Sequence, residues 1–525
     1  MGDGRAWASE AAGTPRGFGT PSYAKLAAMT ASATARTAPL ARDRYEAVIG
    51  VEVHCQLRTV SKMFCSCSTA YDGAAPNTHV CPVCLGLPGA LPVINRRAVE
   101  HVLATGLAIE ASTPEATRWD RKNYFYPDLP KGYQISQYDL PLASAGRLTV
   151  ETTAGPFTIG ITRAHLEEDT AKLVHATRDD GRKVSLVDFN RSGAPLMEIV
   201  TDPDIRTAEQ ARRYAEELQL LLRTIGASDA DMERGQMRVE ANVSLRLRGT
   251  ATFGTRVEVK NMNSFRSVER AIEFEIDRQA ASLDDGNPIG QETRGWADDR
   301  GETYHMRSKE TSDDYRYFPE PDLPPLHVDR AWLDALRAEL PELPAARRAR
   351  YRDRLGLSAY DAAVLAGDPG ATGLFEGTLA ADPSLAPKAV ANWVTGEYLR
   401  LRKAASTDEP VHVDASELAA IIRAVEEGTL SRANAKEVLE AHTTTGARAA
   451  AVIAERGFLQ ISDEGAVGEA VDAALAANPA AVADYRAGKE QAVGFLVGQV
   501  MKATRGQANA ALVQAAVRER LGRAE

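Results

Sequence analysis

Apolar and polar residues alternate along several segments between Tyr45 and Ala335, and this period of two predicts half-buried strands of the antiparallel type. In residues 237–247 the odd positions carry apolar side chains and the even positions carry polar ones. Residues 51–57 and 255–260 follow the same pattern. We therefore expect one face of a sheet to be a core and the other face to carry polar chemistry.

Helical spacing appears between these strands and takes over after them. Thr207 and Gln210 form the signature of a capping box, at the start of a helix that Gly226 ends. Residues 315–326 are rich in proline, which indicates a domain boundary or a pinned loop. Beyond residue 335 the alternation disappears and helical spacing remains, so the pattern predicts an α+β chain with helices at its end.

Residues 1–43 have no periodic apolar face and are rich in Ala, Ser, Thr, Gly and Arg, so we expect a disordered extension. An organellar transit peptide has a similar composition, which leaves import open. A simpler alternative is an upstream start codon, with Met29 as the true start.

The 525 residues are 44% hydrophobic and 26% charged, as in multi-domain globular proteins, and the formal net charge is −10. That charge disfavours a general role in coating polyanions. Residues 486–525 nevertheless hold seven Lys or Arg against three acids, a local charge of +4. Five cysteines form no secretory disulfide framework, and no apolar run has membrane-spanning length, so we expect a soluble intracellular protein.

The first candidate for chemistry is the run of acids Glu167, Glu168 and Asp169, which follows the strand-like residues 157–162. A strand that ends in carboxylates suits Mg²⁺, which prefers carboxylate oxygen and bridges to phosphate. A charged loop with solvated acids is the alternative, and the remaining motifs favour the metal.

Glu52 and His54 share the polar face of a predicted strand, about 7 Å apart along it. They are close enough to share a metal ion or a bound phosphate, although a merely exposed polar face has the same pattern. Cys55 belongs to the apolar face, so we expect it in the core. Further along, Glu198 lies in an apolar run, where a carboxylate is seldom buried unless it is paired or metal-bound.

Cys65 and Cys67 are followed after thirteen residues by Cys81 and Cys84. Two close pairs of cysteines bring four thiolates to one tetrahedral zinc site. Such a zinc ion would be structural, because no position remains open for water. Four free thiols are the alternative.

Residues 121–138 interleave four Tyr and one Phe with Arg121, Lys122 and Lys131. This composition suits base stacking together with phosphate contact, and a packed structural loop is the alternative. Together with Glu258 and Lys260, these motifs predict a sheet face for phosphoryl transfer. The sequence has no Walker A loop, no kinase glycine-rich loop and no G-x-S-x-G elbow, which disfavours the common nucleotide and hydrolase folds.

Eight segments of the chain closely resemble the GatB/GatE family, the B subunits of aspartyl/glutamyl-tRNA amidotransferases. They are residues 48–54, 120–128, 163–169, 188–191, 195–200, 258–264, 313–322 and 494–502. The resemblance runs from about Tyr45 to about Gln514, so only the N-terminal extension falls outside it.

The resemblance implies an antiparallel-sheet cradle related to glutamine synthetase, followed by all-α helical and tail domains. We expect the cradle at residues 44–335 with a zinc-binding insertion at 63–89. The helical domain would cover residues 336–445, and a helical tRNA-binding tail would cover residues 446–525.

The resemblance also implies the reaction and its partners. Glutamate or aspartate mischarged on tRNA(Gln) or tRNA(Asn) is phosphorylated by ATP on its side-chain carboxylate, and ammonia then displaces the phosphate. The A subunit of such enzymes is a glutaminase that releases the ammonia from glutamine, and the C subunit bridges the other two. We therefore expect a cytoplasmic heterotrimer that uses ATP, Mg²⁺ and structural Zn²⁺.

The family motifs assign roles residue by residue. The metal and phosphate site matches Glu52, His54, Glu167 and Glu168, and the lining of that pocket matches Glu198, Asn190 and Arg191. Nucleotide contacts fall to Lys131, Glu240 and Lys260. Where members commonly read Arg-x-Asp-x-Asn, this chain has the longer Glu240, which puts the role of that residue in doubt.

Two other functions fit parts of the pattern. A small-molecule amide ligase of the glutamine synthetase type would need no basic helical tail. A tRNA-binding scaffold with degenerate chemistry would not need Glu52, His54 and the paired glutamates intact. The amidating subunit is the hypothesis that uses all of these features.

Overall fold

The computed structural model describes residues 41–308, 315–405, 411–460, 463–504 and 507–522. Nearly all of the expected disordered extension, residues 1–43, therefore lies outside the described residues. Within them every named strand precedes residue 328 and helices follow, which confirms the predicted mixed α and β organisation.

The strands of the described residues are β1 (Tyr45–Gln56), β2 (Ala116–Thr117), β3 (Asp120–Asn123), β4 (Tyr133–Ser136), β5 (Ala143–Thr152), β6 (Gly155–Glu168), β7 (Lys172–Thr177), β8 (Lys183–Asp188), β9 (Pro195–Thr201), β10 (Met237–Leu247), β11 (Val257–Met262), β12 (Glu292–Ala297), β13 (Glu302–Ser308), β14 (Phe318–Pro319) and β15 (Leu326–His327).

The helices are α1 (Arg96–Ala108), α2 (Ala208–Thr224), α3 (Phe265–Asp284), α4 (Arg330–Glu339), α5 (Pro344–Asp353), α6 (Ala359–Ala366), α7 (Pro369–Ala381), α8 (Pro387–Trp393), α9 (Leu399–Ala404), α10 (Ala415–Glu426), α11 (Arg432–Thr445), α12 (Ala449–Arg456), α13 (Glu464–Ala477), α14 (Pro479–Arg486), α15 (Ala492–Ala503) and α16 (Ala510–Gly522). Among these described helices, none combines the length and the apolar character needed to cross a membrane.

The main sheet has eight strands in the order β13-β12-β11-β10-β1-β9-β6-β5. All neighbours are antiparallel except β11 and β12, which run parallel. The antiparallel character that the alternation predicted is therefore confirmed.

Helices α1, α2 and α3 pack on one face of this sheet and form the first hydrophobic core with it. Helix α2 begins with the predicted capping box between Thr207 and Gln210. Cys55 is fully buried in this core, as expected, and burial raises the pKa of its thiol to about 12. The even-numbered residues of β1 and β10 lie on the opposite face, where the polar site forms.

The proline-rich segment after residue 315 is pinned by two short strand pairings. Strand β14 pairs with β3, where Phe318 lies opposite Arg121, and β15 pairs with β2. The first pairing brings residues 315–317 to the polar face of the sheet, although some 200 residues of sequence separate them from β3.

Two further hydrophobic cores lie in the helical half of the chain. The second contains buried residues from Tyr351 to Val452, and the third contains buried residues from Val467 to Leu521. Helix α12 packs into the second core through Ala449 and Val452, and the boundary expected at residue 446 stays a prediction. A bidentate ion pair of Arg348 on α5 with Glu217 on α2, at 2.7 and 3.0 Å, joins the second unit to the sheet unit.

Candidate active site

Neighbouring strands place acidic and imidazole side chains in register on the polar face. Glu52 on β1 lies opposite Glu240 on β10, and His54 lies opposite Glu198 on β9. Glu198 in turn lies opposite His165 on β6. Directly opposed residues of antiparallel strands share a face of the sheet. The strand register alone therefore brings these side chains together.

These side chains open into a cavity of about 480 Å³. Its floor is the sheet, and its walls come from β3, β4 and residues 315–317. Glutamates, imidazoles, lysines, arginines and tyrosines all contribute to the lining, so the cavity offers both cation-binding and anion-binding groups.

Three residues in the cavity have the arrangement of a metal site: His54, Glu167 and Glu198. Each offers one ligand atom, and these atoms lie within 4.8 Å of one another. The distance from His54 Nε2 to Glu198 Oε2 is 3.5 Å. One imidazole and two carboxylates form a donor set that suits a divalent cation.

Neighbouring groups hold Glu167 in this position. Ser136 Oγ and Gln134 Nε2 each donate a hydrogen bond of 2.9 Å to its carboxylate. Lys122 Nζ lies 3.6 Å away, and His165 Nε2 lies 3.4 Å away. These contacts therefore hold the carboxylate, whose side chain is 2% exposed, in place before any ligand arrives.

The charges of this group support one another. Burial alone would raise the pKa of Glu198, but His165 and His54 outweigh it and hold the pKa well below its usual range. Burial would lower the pKa of His54, but Glu198 outweighs it and raises the pKa. Lys122 likewise lowers the pKa of Glu167 against the effect of burial. Both carboxylates are thus kept in the ionised form that binds cations.

A second group of carboxylates lies beside the first and consists of Glu52, Glu240 and Glu258, whose oxygens lie within 4.8 Å of one another. Lys260 Nζ is 2.7 Å from Glu240 and 3.7 Å from Glu258. Burial, followed by the charges of Glu198 and Glu240, raises the pKa of Glu52. The lysine thus offsets part of a concentrated negative charge.

Lys260 is a cross-strand neighbour of Glu240. Between the pairs Ala241–Val259 and Val239–Met262, both Lys260 and Asn261 lie opposite Glu240, and Asn261 adopts the left-handed φ of 63° of a β-bulge. The register of β10 and β11 therefore accounts for the ion pair of Lys260 with Glu240.

Tyrosines form one wall of the cavity. The rings of Tyr138 and Tyr317 are stacked with their centroids 4.3 Å apart, and Tyr315 meets Tyr317 and Tyr124 edge-on. Lys122 Nζ lies 5.4 Å from the centroid of the Tyr315 ring. Such a wall presents flat apolar surface and cationic charge together, which suits stacking of a base.

Asp169 forms one corner of the cavity with two arginines. Its carboxylate accepts hydrogen bonds from Arg238 Nη2 at 3.0 Å and Gln56 Nε2 at 2.8 Å, and Arg191 Nε lies 3.5 Å away. Burial would raise the pKa of Asp169, but Arg238 and Arg191 outweigh it and lower the pKa. We refer to Asp169, Arg191 and Arg238 as the Asp169 corner.

Strand geometry turns Glu168 away from the cavity. Glu167 and Glu168 are the last two residues of β6, so their side chains lie on opposite faces of the strand. Glu168 pairs with Lys131 and accepts a hydrogen bond of 3.0 Å from the backbone N–H of Ile135. Neither Glu168 nor Lys131 lines this cavity, and their roles in metal and nucleotide binding stay predictions.

Asn190 and Arg191 support the site from outside it. Asn190 accepts a hydrogen bond of 2.8 Å from the His79 N–H and donates one of 2.8 Å to the Ala75 carbonyl. Arg191 donates to the carbonyls of Thr170 and Ala171, both at 2.8 Å. Neither residue is in the lining, whereas Glu52, His54, Glu167, Glu198, Glu240 and Lys260 are.

The sequence assigned no site role to His165, and Asp169 was a candidate only as part of the run of acids with Glu167 and Glu168. Alternation along β6 offered a signal for His165, which is two residues before Glu167 and therefore on the same face. The role of Tyr315 and Tyr317 had no local signal, because only the pairing of β14 with β3 brings them to the cavity.

The four cysteines of the insertion form a compact cluster, in which the Sγ atoms lie within 4.8 Å of one another. The thiol of Cys65, the N–H of Cys81 and the ammonium of Lys62 stabilise the Cys84 thiolate and lower its pKa to about 4. The pKa values of the Cys65 and Cys67 thiols are raised, so Cys84 is the sulfur that is anionic without a metal. Four converging sulfurs fit tetrahedral zinc.

Known proteins match nearly the whole of this architecture. Residues 47–334 match the GatB/GatE catalytic domain, and residues 373–521 match the GatB domain. The B subunit of the aspartyl/glutamyl-tRNA(Asn/Gln) amidotransferase of Moorella thermoacetica is 53% identical over 478 residues, which are 91% of this chain and 100% of that protein. Proteins with the same name from Carboxydothermus hydrogenoformans and Roseiflexus sp. are each 50% identical over 91% of this chain and 99% of their own length. The chain therefore belongs to the GatB/GatE family.

Proposed function

We propose that this chain is the amidating B subunit of an aspartyl/glutamyl-tRNA amidotransferase. It converts glutamate on tRNA(Gln), or aspartate on tRNA(Asn), to the corresponding amide with ATP. The observation that carries the proposal is a single cavity in which the His54–Glu167–Glu198 group, a lysine-bearing acidic cluster and a tyrosine wall face one another.

The reaction needs a leaving group, because a carboxylate oxygen is a poor one at neutral pH. In the first step an oxygen of the side-chain carboxylate attacks the γ-phosphorus of ATP, and ADP leaves. In the second step ammonia attacks the acyl carbon, and phosphate departs with the original carboxylate oxygen and one proton from the nitrogen. The products are the amide, ADP and phosphate.

The residues of the cavity divide this work between them. His54, Glu167 and Glu198 would hold Mg²⁺, whose charge neutralises phosphate oxygens during transfer. Lys122 and Arg307 line the cavity and supply fixed positive charge where phosphate charge develops. The tyrosine wall excludes water and offers a stacking surface for an adenine ring. Glu240 keeps the neighbouring Lys260 in place through their 2.7 Å ion pair.

The ammonia comes from a partner protein. Hydrolysis of glutamine by covalent catalysis uses an activated Ser or Cys nucleophile, and no cysteine or serine is present among the described residues that line the cavity. We assign glutamine hydrolysis to the A subunit and the bridging role to the C subunit, in a cytoplasmic heterotrimer. The antiparallel cradle is related by this proposal to glutamine synthetase, which uses the same activation of a carboxylate.

We assign tRNA binding to the tail unit, residues 463–522. It has its own hydrophobic core, and the segment from residue 486 onward carries a local charge of +4. Removing residues 461–525 is expected to weaken tRNA binding by about 10-fold or more. Each contact between a basic side chain and a phosphate releases counterions from the RNA, and this favourable contribution is lost with the contact. Fluorescence anisotropy with labelled tRNA measures the loss, and unchanged affinity would reject the assignment. The thermal transition of the remaining chain should stay in place, since the first two cores keep their residues.

We assign structural zinc to the cysteine cluster. Purified protein is expected to contain close to one zinc per chain, measured by atomic emission. The double variant Cys81→Ser, Cys84→Ser should lose the metal, because two of the four thiolates are gone. Cys55→Ala is the matched control: it removes a cysteine that lies in the core, and it should keep its zinc. A wild-type protein without zinc would contradict the assignment.

A further inference from the structure

The segment from Asp188 to Ala194, here called the 188–194 loop, lies between the cysteine cluster and the cavity. On the cysteine side, the Asn190 side chain bonds to the backbone of His79 and Ala75. Ser192 Oγ donates a hydrogen bond of 3.2 Å to the Cys84 carbonyl. The loop is thus fastened to the insertion that carries the four sulfurs.

The opposite side of the same loop holds the Asp169 corner. The N–H of Gly193 donates to the Asp169 carbonyl at 2.9 Å, and the N–H of Asp169 donates to the Ala194 carbonyl at 2.8 Å. The Arg191 guanidinium bonds to the carbonyls of Thr170 and Ala171. Asp169 and Thr170 both line the cavity, so the loop connects the cysteine cluster to the candidate active site.

Lys62 is a charged side chain that contacts both the cluster and the loop. It is 1% exposed, and its Nζ lies 2.8 Å from the His79 carbonyl, 3.3 Å from the Phe189 carbonyl and 3.6 Å from Cys84 Sγ. No ion pair within 4.0 Å joins Lys62 to a carboxylate of the described residues. Burying an ammonium is very costly unless negative charge lies nearby, and the Cys84 sulfur can supply that charge.

The backbone of Gly193 has a left-handed φ of +84°, which favours glycine. A Cβ at this position would make ordinary contacts with the Cys84 Cβ at 3.4 Å, the Lys62 Cδ at 3.6 Å and Glu168 Oε2 at 3.9 Å. The left-handed backbone turns the loop directly over the lysine and the cluster. The contact between loop and cluster is therefore a packed interface as well as a set of hydrogen bonds.

We propose that Lys62 is the buried counter-cation of a zinc-bound cysteine cluster and that it ties the 188–194 loop to that cluster. Zinc occupancy thereby positions the Asp169 corner of the active site, and Lys62 is a positioning residue. Four thiolates around Zn²⁺ carry two more negative charges than positive ones, so the zinc-bound cluster is an anion. It supplies the negative charge that Lys62 does not receive from a carboxylate. The proposal rests on the zinc assigned above and goes beyond it by giving the metal a role in the cavity.

The variant Lys62→Met separates this electrostatic role from simple packing. In the zinc-loaded full-length protein, loss of the counter-cation is expected to weaken zinc affinity by about 10- to 100-fold, the usual effect of an outer-shell partner. In the zinc-free protein the same change should lower the melting temperature by less than in the zinc-loaded protein, because the ammonium then faces the Cys84 thiolate alone and not four zinc-bound thiolates. Chelator competition measures the affinity, and melting with and without zinc measures the two stabilities.

Lys403→Met is the matched control, because Lys403 is exposed on α9 and far from the cluster in the chain. It should change neither zinc affinity nor either melting temperature. If Lys62→Met lowers the melting temperature equally with and without zinc, the residue only fills space and the proposal is overturned. Absence of zinc from the wild-type protein would reject the zinc assignment and this proposal together. Equal lowering of the melting temperature with and without zinc would reject this proposal alone.

Hydrogen exchange tests the connection to the cavity without relying on the Lys62 variant. Removing zinc from the wild-type protein is expected to speed exchange about 10-fold or more at residues 169–171 and 188–194. The variant Asn190→Ala should speed exchange at residues 169–171 while zinc stays bound, because it loosens the loop and leaves the sulfurs untouched. Exchange that changes only within residues 63–89 when zinc is removed would overturn the coupling.

Discussion

Replacing Glu167 with glutamine is expected to slow ATP-dependent amidation at least about 10²- to 10³-fold, the range seen when one electrostatic group is removed from a preorganised site. The amide keeps the shape of the side chain and one acceptor oxygen, so it can accept from either Ser136 or Gln134 but not from both. It removes the negative charge that the His54–Glu167–Glu198 group offers to a cation. The measurement is formation of amidated tRNA by the assembled complex, with mischarged tRNA, ATP and glutamine.

Glutamine hydrolysis by the same complex should continue, since we assign that reaction to the A subunit and not to this cavity. Glu151→Gln is the matched control, because Glu151 is an exposed glutamate on β5 of the same sheet. It should amidate at the wild-type rate. Normal amidation by the Glu167→Gln complex would rule out the metal-site role of this residue.

Replacing Glu320 with alanine is expected to lower the free energy of unfolding by about 3 kcal/mol, near the low end for breaking a buried ion pair. Glu320 is 4% exposed and accepts two hydrogen bonds from Arg121, at 2.7 and 2.8 Å. Arg121 also lies 4.2 Å from the ring centroid of Tyr133. The variant leaves the guanidinium largely buried without its carboxylate, and urea unfolding of the full-length protein measures the loss.

The same change should also raise the KM for substrates, because the Arg121–Glu320 pair fixes β14 on β3 and with it Tyr315 and Tyr317. Asp322→Ala is the matched control: Asp322 contacts Arg121 at 3.2 Å, but its side chain is 38% exposed. An exposed pair of this kind contributes up to about 1 kcal/mol. If the two variants lose the same free energy of unfolding, burial of Glu320 does not determine how strongly its ion pair with Arg121 stabilises the fold.

The period-two patterns were enough to predict the polar face and several of its residues. Alternation in β1 and β10 placed Glu52, His54 and Glu240 on one face and Cys55 in the core, and the structure has them there. These predictions succeeded because the side-chain direction in a strand depends only on local geometry. Along β6 the same rule places His165 and Glu167 on one face of the strand and Glu168 on the other. The family motif had grouped the two glutamates together.

The rest of the site depends on contacts that no local pattern contains. Glu52, Glu240 and Glu258 meet only because β1, β10 and β11 are neighbours in the sheet, and Lys260 joins them because it lies across the strands from Glu240. The tyrosine wall requires the long-range pairing of β14 with β3. Register and sheet order are set by the packing of the whole core, and therefore they had to be seen in the structure.

The central claim is that this cavity phosphorylates the side-chain carboxylate of a tRNA-bound amino acid. The most direct test uses the assembled complex and mischarged tRNA whose glutamate or aspartate carries ¹⁸O in the side-chain carboxylate. With unlabelled ATP and ammonium, attack of that carboxylate on the γ-phosphorus transfers one carboxylate oxygen to the phosphate for each amide formed. We predict ¹⁸O-labelled inorganic phosphate in equal amount to the amidated tRNA, and phosphate free of ¹⁸O alongside amide formation would contradict the account.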